Sequence, residues 1–456
     1  MNALEKRSVA ALASVYAMRM LGLFMVMPVF VLLGADLEGA TPALIGLAIG
    51  AYGLSQALLQ IPFGLLSDRV GRKRMIYFGL LLFAAGSVLA GATDSIYVVI
   101  AGRILQGAGA IASVLMALLS DLTREEERTK AMAFVGISIG LSFSLSLILG
   151  PLLGAAWGLK GIFYATGALA VVALVVVARV VPSPHTQHRS ADTRPARAMV
   201  MPVLTNGRLL RLDFGIFALH FALTALFLTV PTLLQDQLGL PAASHWWFYL
   251  SIMVTSFFAM VPFIVIGEKT RRMKPVLCGA IALLTLATML LTQVDRALIA
   301  AWGVLFLFFM AFNLLEASLP SLISKEAPAA SKGTAMGVYS TSQFFGAFLG
   351  GSLGGLLLQG YGVNGVLWLM AGTLGVWFLV ALSMPTPTYT SSVVVQLQQA
   401  LGATLDEVDE RLRGVPGVQD VVIVEEASTA YLKVDRRQFE EDQLARFDFV
   451  RQGKSS

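Results

Sequence analysis

Apolar runs of about 20 residues recur along most of this chain of 456 residues. A run of that length crosses a bilayer as an α-helix, whereas a tilted strand of a membrane barrel needs only about half as many residues. Hydrocarbon offers backbone N–H and C=O groups no partner outside the segment, so each run must satisfy its hydrogen bonds within a helix or a closed barrel. The run length therefore predicts helices, and the fold class is an all-α polytopic membrane protein.

Twelve spans are predicted, at about 8–33, 42–66, 75–93, 96–119, 130–157, 161–181, 212–236, 246–267, 275–293, 297–322, 333–359 and 363–384. The composition agrees with a chain that lies mostly in lipid, because 13% of its residues are charged and soluble domains have roughly 25%. An even number of spans places both termini on the same side of the membrane.

Basic residues indicate which side that is, because cytoplasmic loops are enriched in Lys and Arg. On the opposite side of the predicted spans we find only Lys160 and Arg296. Both termini are therefore predicted to be cytoplasmic, and the long apolar run after Arg7 is expected to stay as an uncleaved first helix. The basic residues assigned to the side of the termini are Lys6, Arg7, Arg69, Arg72, Lys73, Arg74, Arg124, Arg128, Lys130, Arg189, Arg194, Arg197, Arg208, Lys269, Arg271, Arg272, Lys274, Lys325 and Lys332.

Several classes of function are excluded by what the sequence lacks. Cys278 is the single cysteine, so neither a disulfide within the chain nor a thiolate metal cluster is expected. We find no P-loop for ATP and no metal-ligand cluster with useful spacing, so no cofactor, no metal and no enzymatic activity are expected. The net charge of +5 is what basic cytoplasmic loops produce, and nucleic-acid binding is not expected.

A polar connection divides the spans six and six. We assign residues 1–182 to a first six-helix half, 183–209 to a cytoplasmic linker and 210–385 to a second six-helix half. Short matches between the halves support an internal repeat, and such repeats usually place a substrate site near the midplane between them. At an offset of 200 residues Pro62-Phe63 matches Pro262-Phe263, Asp68-Arg69 matches Glu268-Lys269 and Arg72 matches Arg272; at 204 residues Ala131-Met132 matches Ala335-Met336.

The most specific local sequence is GLLSDRVGRKR at 64–74, between spans two and three. Gly64 would let a neighbouring helix approach closely, Gly71 permits a tight turn, and Asp68 can engage a helix N-terminus or a nearby cation. The alternative is an ordinary basic cytoplasmic turn. The order of Gly, Asp and Arg, together with its degenerate second copy, favours a specific element.

These residues resemble the loop between helices two and three of the major facilitator superfamily, which reads G-x-x-x-D-R-x-G-R-[KR]. RILQGAG at 103–109 resembles the R-x-x-Q-G-x-G element of that family, and GPLLG at 150–154 resembles the G-P-x-x-G element of its antiporters. The resemblance covers residues 1 to about 385 and points to the drug:proton antiporter branch. That branch often has a second glycine after Gly154, where this chain has Ala155.

The resemblance implies two six-helix halves in a bacterial inner membrane and transport by alternating access. Asp68, Arg72 and Asp121 would fasten the cytoplasmic side in the outward-facing state. Gly64 would let span two contact span eleven, near Gly337 and the glycines that follow it. The complete set of positions with implied gating or conformational roles is Gly64, Asp68, Arg69, Gly71, Arg72, Lys73, Asp121, Gly150, Pro151 and Gly154.

Polar and ionisable residues inside the spans are candidates for the proton and substrate pathway, because a charge at the bilayer centre costs about 2.5–3.5 kcal/mol on an insertion scale. They are Arg19, Arg103, His220, Asn313 and Glu316. Asn313 and Glu316 share one face of span ten, which would aim both into the same cavity or interface. Glu316 is the leading proton carrier.

Three of these residues also have a structural alternative. Glu316 could form a structural salt bridge, and burial alone could alter its protonation. His220 could be a packing residue instead of a proton relay. Arg19 could bond to carbonyl groups as a strut, and it could equally attract an anionic substrate group.

Residues 391–456 become charged and alternating after the last span, which predicts a separate small cytoplasmic domain. Strands are predicted at 393–397, 418–424 and 430–434. Helices are predicted around the apolar face that begins at Leu401 and at 438–447. The order β-α-β-β-α suits a ferredoxin-like fold and resembles heavy-metal-associated domains, but no Cys-x-x-Cys is present, so soft-metal binding is not expected. We expect a regulatory or docking domain that self-associates or binds a partner through an edge strand.

The predicted function is secondary active transport by alternating access, with export of a small, hydrophobic or drug-like solute in exchange for protons. Two alternatives use the same sequence features. A nutrient or metabolite importer or facilitator would share the fold, and a membrane-anchored sensor would signal through residues 391–456.

Overall fold

The computed structural model describes residues 1–182, 201–294, 297–327, 332–386, 391–397, 405–424, 429–435 and 438–450. Some predicted features lie outside these residues. They are most of the linker 183–209 with Arg189, Arg194 and Arg197, and also Arg296, Leu401 and the turn at 425–428.

In the described residues the membrane part consists of helices and the short connections between them. In chain order the helices are α1 Ala3–Met25, α2 Met27–Leu33, α3 Pro42–Val70, α4 Arg72–Gly91, α5 Ile96–Ala108, α6 Ala112–Asp121, α7 Glu125–Arg179, α8 Gly207–Thr232, α9 His245–Lys269, α10 Met273–Leu291, α11 Leu298–Glu326 and α12 Lys332–Leu382. Ten stretches of the described chain are long and apolar enough to cross a membrane. Two of these stretches have 50 residues each, enough for two crossings.

A glycine divides each of the two longest helices into a pair of spans. Gly158 in α7 has φ 65° and ψ −169°, and Gly362 in α12 has φ 65° and ψ −166°. These angles suit glycine because a Cβ is unfavourable at positive φ. The two glycines are 204 residues apart, the offset of one of the sequence matches. The described residues therefore contain twelve apolar segments, and the connector between spans five and six is repeated between spans eleven and twelve.

Capping residues explain where the first and second spans begin. Asn2 accepts a hydrogen bond from the backbone N–H of Glu5, whose carboxylate in turn accepts from the backbone N–H of Asn2, which is a capping box. Thr41 caps α3 by accepting from the N–H of Leu44, and Pro42 occupies the first helical position. Both helices therefore start where the sequence supplies partners for their free N–H groups.

The two six-helix halves meet at the face opposite the termini, which we call the far face; the other is the terminal face. Here the first turns of α3 lie against α12. A Cβ on Gly46 would lie 2.3 Å from the carbonyl oxygen of Gly351, and one on Gly50 would lie 2.6 Å from that of Phe348. Only glycine permits such close backbone contact, so small residues hold the far face closed.

The halves separate toward the terminal face. A Cβ on Gly136 or Gly140 of α7, or on Gly337 of α12, would meet no atom within 4 Å. A Cβ on Gly64, near the terminal end of α3, would meet only Ser113 of its own half. Because neither Gly64 nor Gly337 meets the opposite half, we infer a cleft between the halves that opens at the terminal face.

A small sheet follows the last span. Its strands, β1 Ser391–Gln396, β2 Val418–Val424 and β3 Thr429–Val434, pair antiparallel in the order β1-β3-β2. Helix α13, Leu405–Arg413, lies between β1 and β2 in the chain. Where the sequence predicts a second helix at 438–447, the structure has a 3₁₀ helix, Glu441–Arg446. The described residues thus contain three strands, whereas a complete ferredoxin-like β-α-β-β-α-β unit has four.

Candidate gate and proton site

Arg72 is the centre of the charged cluster at the end of span two. Its Nη1 lies 2.5 Å from a carboxylate oxygen of Asp68 and donates to Ser67 Oγ at 2.7 Å, while its Nε donates to Asp121 Oδ2 at 3.3 Å. Gly71 ends α3 with φ 106° and so lets Arg72 begin α4 directly. The three charged residues that the sequence grouped together are therefore in contact, with Arg72 linking spans two, three and four.

Neighbouring charges attach this cluster to the rest of the first half. Lys73 donates from Nζ to the carbonyl of Val181 at the end of span six, at 2.8 Å. Arg124 pairs with Glu5 of α1, at 3.0 Å. Arg69 is exposed. These contacts all join parts of the first half, so the terminal end of that half is braced as one unit.

The predicted contact of Gly64 with span eleven is absent from this conformation. A Cβ on Gly64 would approach Ser113 Oγ to 3.4 Å, and Gly337 has open space around it. Other glycines of span eleven are packed differently from expected: Gly346 and Gly350 lie against the backbone of α8, at Phe217 and Phe221. Because the cleft is open at the terminal face, the two surfaces are apart here.

The span-five element packs against the first span. A Cβ on Gly150 would lie 2.5 Å from the carbonyl oxygen of Met25, and one on Gly154 would lie 3.0 Å from Leu33 Cδ1. Pro151 lies inside the same helix, α7. The element therefore allows two helices of one half to come close, and both of its glycines serve that packing.

Arg19 is buried within the first half. It donates from Nη2 to Gln56 Oε1, and Gln56 donates to Gln60 Oε1 at 2.7 Å. The guanidinium carbon lies 5.8 Å from the centre of the Phe83 ring. Nε and Nη1 have no hydrogen-bond partner among the described residues. Carbonyl groups were one alternative for the partners of Arg19. Its partner is instead the side-chain amide of Gln56 in span two, which the sequence alone did not indicate.

Arg103 is equally buried and joins three spans. It donates to the carbonyl of Ala48 in span two, at 3.3 Å, and to Gln106 Oε1, at 2.9 Å. Gln106 then donates to Ser87 Oγ of span three, at 2.8 Å. The guanidinium carbon also lies 5.1 Å from the centre of the Tyr52 ring. The arginine and glutamine of the R-x-x-Q element therefore form a buried brace, which matches a structural role.

His220 and Glu316 lie together in the second half. Nδ1 of His220 is 3.9 Å from Glu316 Oε2, and its Nε2 is 2.7 Å from Nε2 of Gln343. As the amide of Gln343 is oriented, its nitrogen donates and the ring nitrogen accepts, so the neutral ring carries its proton on Nδ1, toward Glu316. The His220 side chain is 8% exposed and that of Glu316 37% exposed. Glu316 is thus open on one side and faces a histidine on the other.

Asn313 does not share this environment, contrary to expectation. It donates to Ser256 Oγ of span eight at 3.2 Å, whereas Glu316 faces span seven. Residues three apart on a helix differ by about 60° around its axis, which is enough to reach different neighbours. The structure therefore separates Asn313 from the histidine–glutamate pair.

Aromatic rings connect the two halves beside this pair. The Phe143 ring of span five lies 5.0 Å from that of Phe24 and 6.1 Å from that of Phe312 in span ten. Phe312 is one helical turn from Glu316, and its ring is 6.3 Å from that of His220. This row of rings crosses from one half to the other directly beside the carboxyl group.

Sequence reasoning missed three polar residues of the second half. Gln343 holds His220, and Asp213 and Tyr339 are both buried. Asp213 lies at the edge of the predicted span that begins near 212, where hydropathy does not mark it as a residue of the membrane interior. Tyr339 and Gln343 carry no sequence signal that separates them from ordinary packing residues.

Known proteins are similar to this chain in sequence. Residues 12–351 match the family model described as Major Facilitator Superfamily. The inner membrane transport protein YajR of Escherichia coli K12 is 46% identical over 445 residues, which are 97% of this chain and 98% of that protein. The multidrug resistance protein MdtH of Aeromonas salmonicida is 27% identical over 371 residues, covering 79% of this chain and 91% of that protein.

A solved structure shares the fold at low sequence identity. It is a bacterial homolog of the human lysosomal transporter Spinster, described as inward-facing and occupied, with a TM-score of 0.68 and 14% identity. The match covers 84% of this chain and 96% of that one. Together these findings identify a multi-pass membrane transporter and not an enzyme. The chain belongs to the major facilitator superfamily.

Proposed function

We propose that this protein exports a small hydrophobic solute from the bacterial cytoplasm in exchange for protons. The single observation that carries the proposal is the placement of Glu316, a carboxyl group in the membrane interior that faces His220 and is one helical turn from the rings joining the halves. Ionisable residues in such positions are costly and mark proton or substrate pathways. The terminal face is then the cytoplasmic face, as its basic loops predict.

The open cleft then corresponds to an inward-open state. Its far face is closed by the glycine contacts between α3 and α12, and its terminal face is open to the cytoplasm. The Spinster homolog with the same fold is described as inward-facing, which supports this assignment. In this state Glu316 can give its proton to water in the cleft, and a solute can enter from the same side.

When the terminal face closes and the far face opens, new contacts at the terminal face must replace those lost at the far face. Asp68 and Arg72 stand on the surface of the first half that would meet the second half when the terminal face closes, and Asp68 is still 39% exposed. A carboxylate with that exposure can gain a new partner at small cost in desolvation. We propose that the Asp68–Arg72–Asp121 cluster fastens the closed terminal face, where Gly64 would approach span eleven.

The nature of the solute is supported by two observations. The buried rings of Phe24, Phe143 and Phe312 make the surroundings of Glu316 apolar, and binding sites for small molecules are mostly apolar with few polar groups. Relatives at lower identity are named multidrug resistance proteins. A hydrophobic, drug-like compound with a positive charge or hydrogen-bond donor would suit this combination.

The test measures proton movement driven by solute. Purified protein is placed in liposomes that contain a pH-sensitive dye, and an outward or inward gradient of ethidium, a hydrophobic cation, is imposed. With the wild type we expect protons to move in the direction opposite to ethidium. With Glu316→Gln we expect no proton flux. Asp94→Asn, which removes a carboxylate paired with Lys160 on the far face, is the matched control and should retain the flux. Equal proton flux with Glu316→Gln would refute the proton carrier.

An importer differs from this proposal in its direction, and the same liposomes distinguish it. Protons and ethidium moving in the same direction, or solute movement that ignores a pH gradient, would favour import or facilitation. Among the described residues of the second half, no contact favours import over exchange.

We further propose that residues 391–456 form a ferredoxin-like docking domain. Arg271, between spans eight and nine, donates to both carboxylate oxygens of Asp435, at 2.9 and 3.2 Å. Such bidentate pairs fix orientation as well as contributing energy. The domain would then act on the transporter through the terminal end of the second half, which is regulation of transport rather than signalling by a sensor. If the protein with Asp435→Asn transports as the wild type does under all conditions, this role is wrong.

A further inference from the structure

Strand β2 forms one edge of the small sheet that follows the last span. One side of β2 pairs with β3, and no strand of the described residues lies on its other side. An open edge of this kind offers main-chain N–H and C=O groups to a strand of another chain. The sequence of β2, VQDVVIV, consists mostly of Val and Ile, and β-branched residues favour such pairing.

Val421 lies in the middle of β2, and both of its main-chain groups are turned toward the open edge. It is opposite Leu432 of β3. In an antiparallel pair, a residue either exchanges both main-chain hydrogen bonds with the residue opposite or points both groups away from it. The C=O of Val421 accepts from Arg413 Nη2 at 3.2 Å, and its N–H donates to Asp420 Oδ1 at 3.0 Å. Side chains of the same domain therefore occupy the two groups that a partner strand would use.

Two carboxylates hold Arg413 over this edge. Arg413 is the last residue of α13, and its Nε donates at 2.7 Å to Oδ2 of Asp409, one turn earlier in that helix. Its Nη2, which bonds to Val421, is also 3.7 Å from Asp420 Oδ1. Single pairs between exposed charges contribute little, whereas a network with good geometry contributes more. A partner strand would have to displace the guanidinium to reach the C=O of Val421.

The pairing of β2 with β3 is irregular beside this contact. The register shifts between Val418 and Asp420, which leaves Gln419 as an extra residue in β2. A bulge bends its strand and increases the local twist, and proteins use such bulges to prevent pairing at sheet edges. The bulge and the Arg413 side chain therefore act on the same edge.

We propose that Arg413 closes the edge of β2 against the β2 strand of a second copy of this chain. Two identical edges pair antiparallel about a twofold axis, so that N–H groups of each meet C=O groups of the other. A second copy is therefore the partner that this edge would fit without Arg413. The consequence for regulation rests on the proposed docking role of residues 391–456: a domain with this edge closed acts on its own transporter and not on a neighbouring copy. Of the roles expected from the sequence, the proposal opposes self-association through β2.

The experiment compares the full-length wild type with Arg413→Ala in detergent. Size-exclusion chromatography with light scattering measures the protein mass of each particle over a series of concentrations. We expect the wild type to keep the mass of one chain and Arg413→Ala to reach twice that mass as its concentration rises. Arg411→Ala removes the same charge from an exposed position of the same helix and leaves Arg413 in place. It is the matched control and should have the mass of the wild type.

Hydrogen exchange locates the new contact. With Arg413→Ala, amide hydrogens of the peptide that contains residues 418–424 should exchange more slowly at high protein concentration than at low concentration, because new main-chain bonds form on β2. The wild type should show no such difference. If Arg413→Ala does not fold, Arg413→Lys keeps the charge but lacks the fork that bonds Asp409 and Val421 through separate nitrogens, and the same dimer is expected.

Four results would overturn the inference. The first is Arg413→Ala that is folded and keeps the mass of one chain at every concentration. The second is Arg411→Ala that dimerises to the same extent, which would make the loss of charge the cause. The third is a dimer of Arg413→Ala without slower exchange at 418–424, and the fourth is a wild type whose exchange there slows with concentration. None of these measurements depends on proton or solute movement, so the proposed exchange through Glu316 stands or falls separately.

Discussion

Arg271 stands where the first half has Gly71, and both residues have positive φ, 54° and 106° respectively. They are 200 residues apart, at one of the two repeat offsets. Arg271 is the one non-glycine residue with positive φ in the described chain. Left-handed backbone is unfavourable for such a residue by about 1–2 kcal/mol. Since the same side chain forms the ion pair with Asp435, the strained backbone and the docking contact belong to one residue.

Substitutions at Arg271 should separate these two effects. Arg271→Gly and Arg271→Ala both lose the pair with Asp435, but only glycine also relieves the backbone. We expect the alanine variant to be less stable than the glycine variant by about 1 kcal/mol, measured by thermal unfolding in detergent. Limited proteolysis should release the C-terminal domain faster in both than in the wild type. Equal stability of the two variants would contradict the strain.

The far-face contact can be tested with Gly351→Ala. The new Cβ would lie 2.7 Å from the carbonyl oxygen of Gly46, and a backbone atom cannot rotate away. Overpacking of this kind costs about 1–3 kcal/mol, so the population should move away from the state that is closed at the far face. Cross-linking between cysteines at Ala43 and Gln359, which lie across the halves, should fall. Gly372→Ala, in the last span and with open space around it, is the matched control and should cross-link as the wild type does.

Gly158, the glycine that divides α7 into two spans, should be sensitive to substitution because of its backbone conformation. Gly158→Ala places a Cβ at φ 65° although there is space around it, and we expect a loss of about 1 kcal/mol of stability. Gly303→Ala, inside α11 and equally uncrowded, should instead gain roughly 0.5–1 kcal/mol, because alanine is the better helix former. Thermal unfolding of the purified variants measures both changes in stability. A destabilised Gly303→Ala variant would contradict the prediction that this helical position has room for a Cβ.

The cluster at the end of span two should control the terminal face. Asp68→Asn removes the charge that would gain a partner in the second half when the terminal face closes, and charge-assisted bonds contribute about 1.5–3 kcal/mol. We expect the variant to favour the state open at the terminal face, seen as a larger share of long distances between spin labels on the two halves. Asp94→Asn removes a comparable pair with Lys160 on the far face, and it should not produce that change. A shift toward short distances with Asp68→Asn would refute the gating role.

The sequence was a good guide where one local property decides the outcome. Run length determined the helices, the predicted strand at 418–424 has the same limits as β2, and the contact of Arg72 with Asp121 follows from a motif and a helix end. Family membership is confirmed. Pairings inside the membrane were harder. Every face of these helices is apolar, so the sequence cannot show how each helix is rotated against its neighbours.

Particular residues show this limit. Asn313 and Glu316 are three apart but contact spans eight and seven, and Arg19 finds an amide of span two instead of a carbonyl group. Asp213 was missed because hydropathy cannot distinguish a carboxylate at a helix end from one just inside it. The rotation and depth of a helix in the membrane depend on how it packs against its neighbours, as α8 packs against α12. Local composition does not determine them.

In the proposed mechanism, protonation of Glu316 controls alternation between the two open states. Its most direct test is the distance between spin labels at Val70 and Gly333, exposed positions near the terminal ends of spans two and eleven. Replacement of Cys278, the single cysteine, leaves only the two labelled sites. We predict that the distance distribution of the wild type changes between about pH 5 and about pH 9, and that Glu316→Gln gives one distribution at both pH values. A pH response that survives in Glu316→Gln would contradict it.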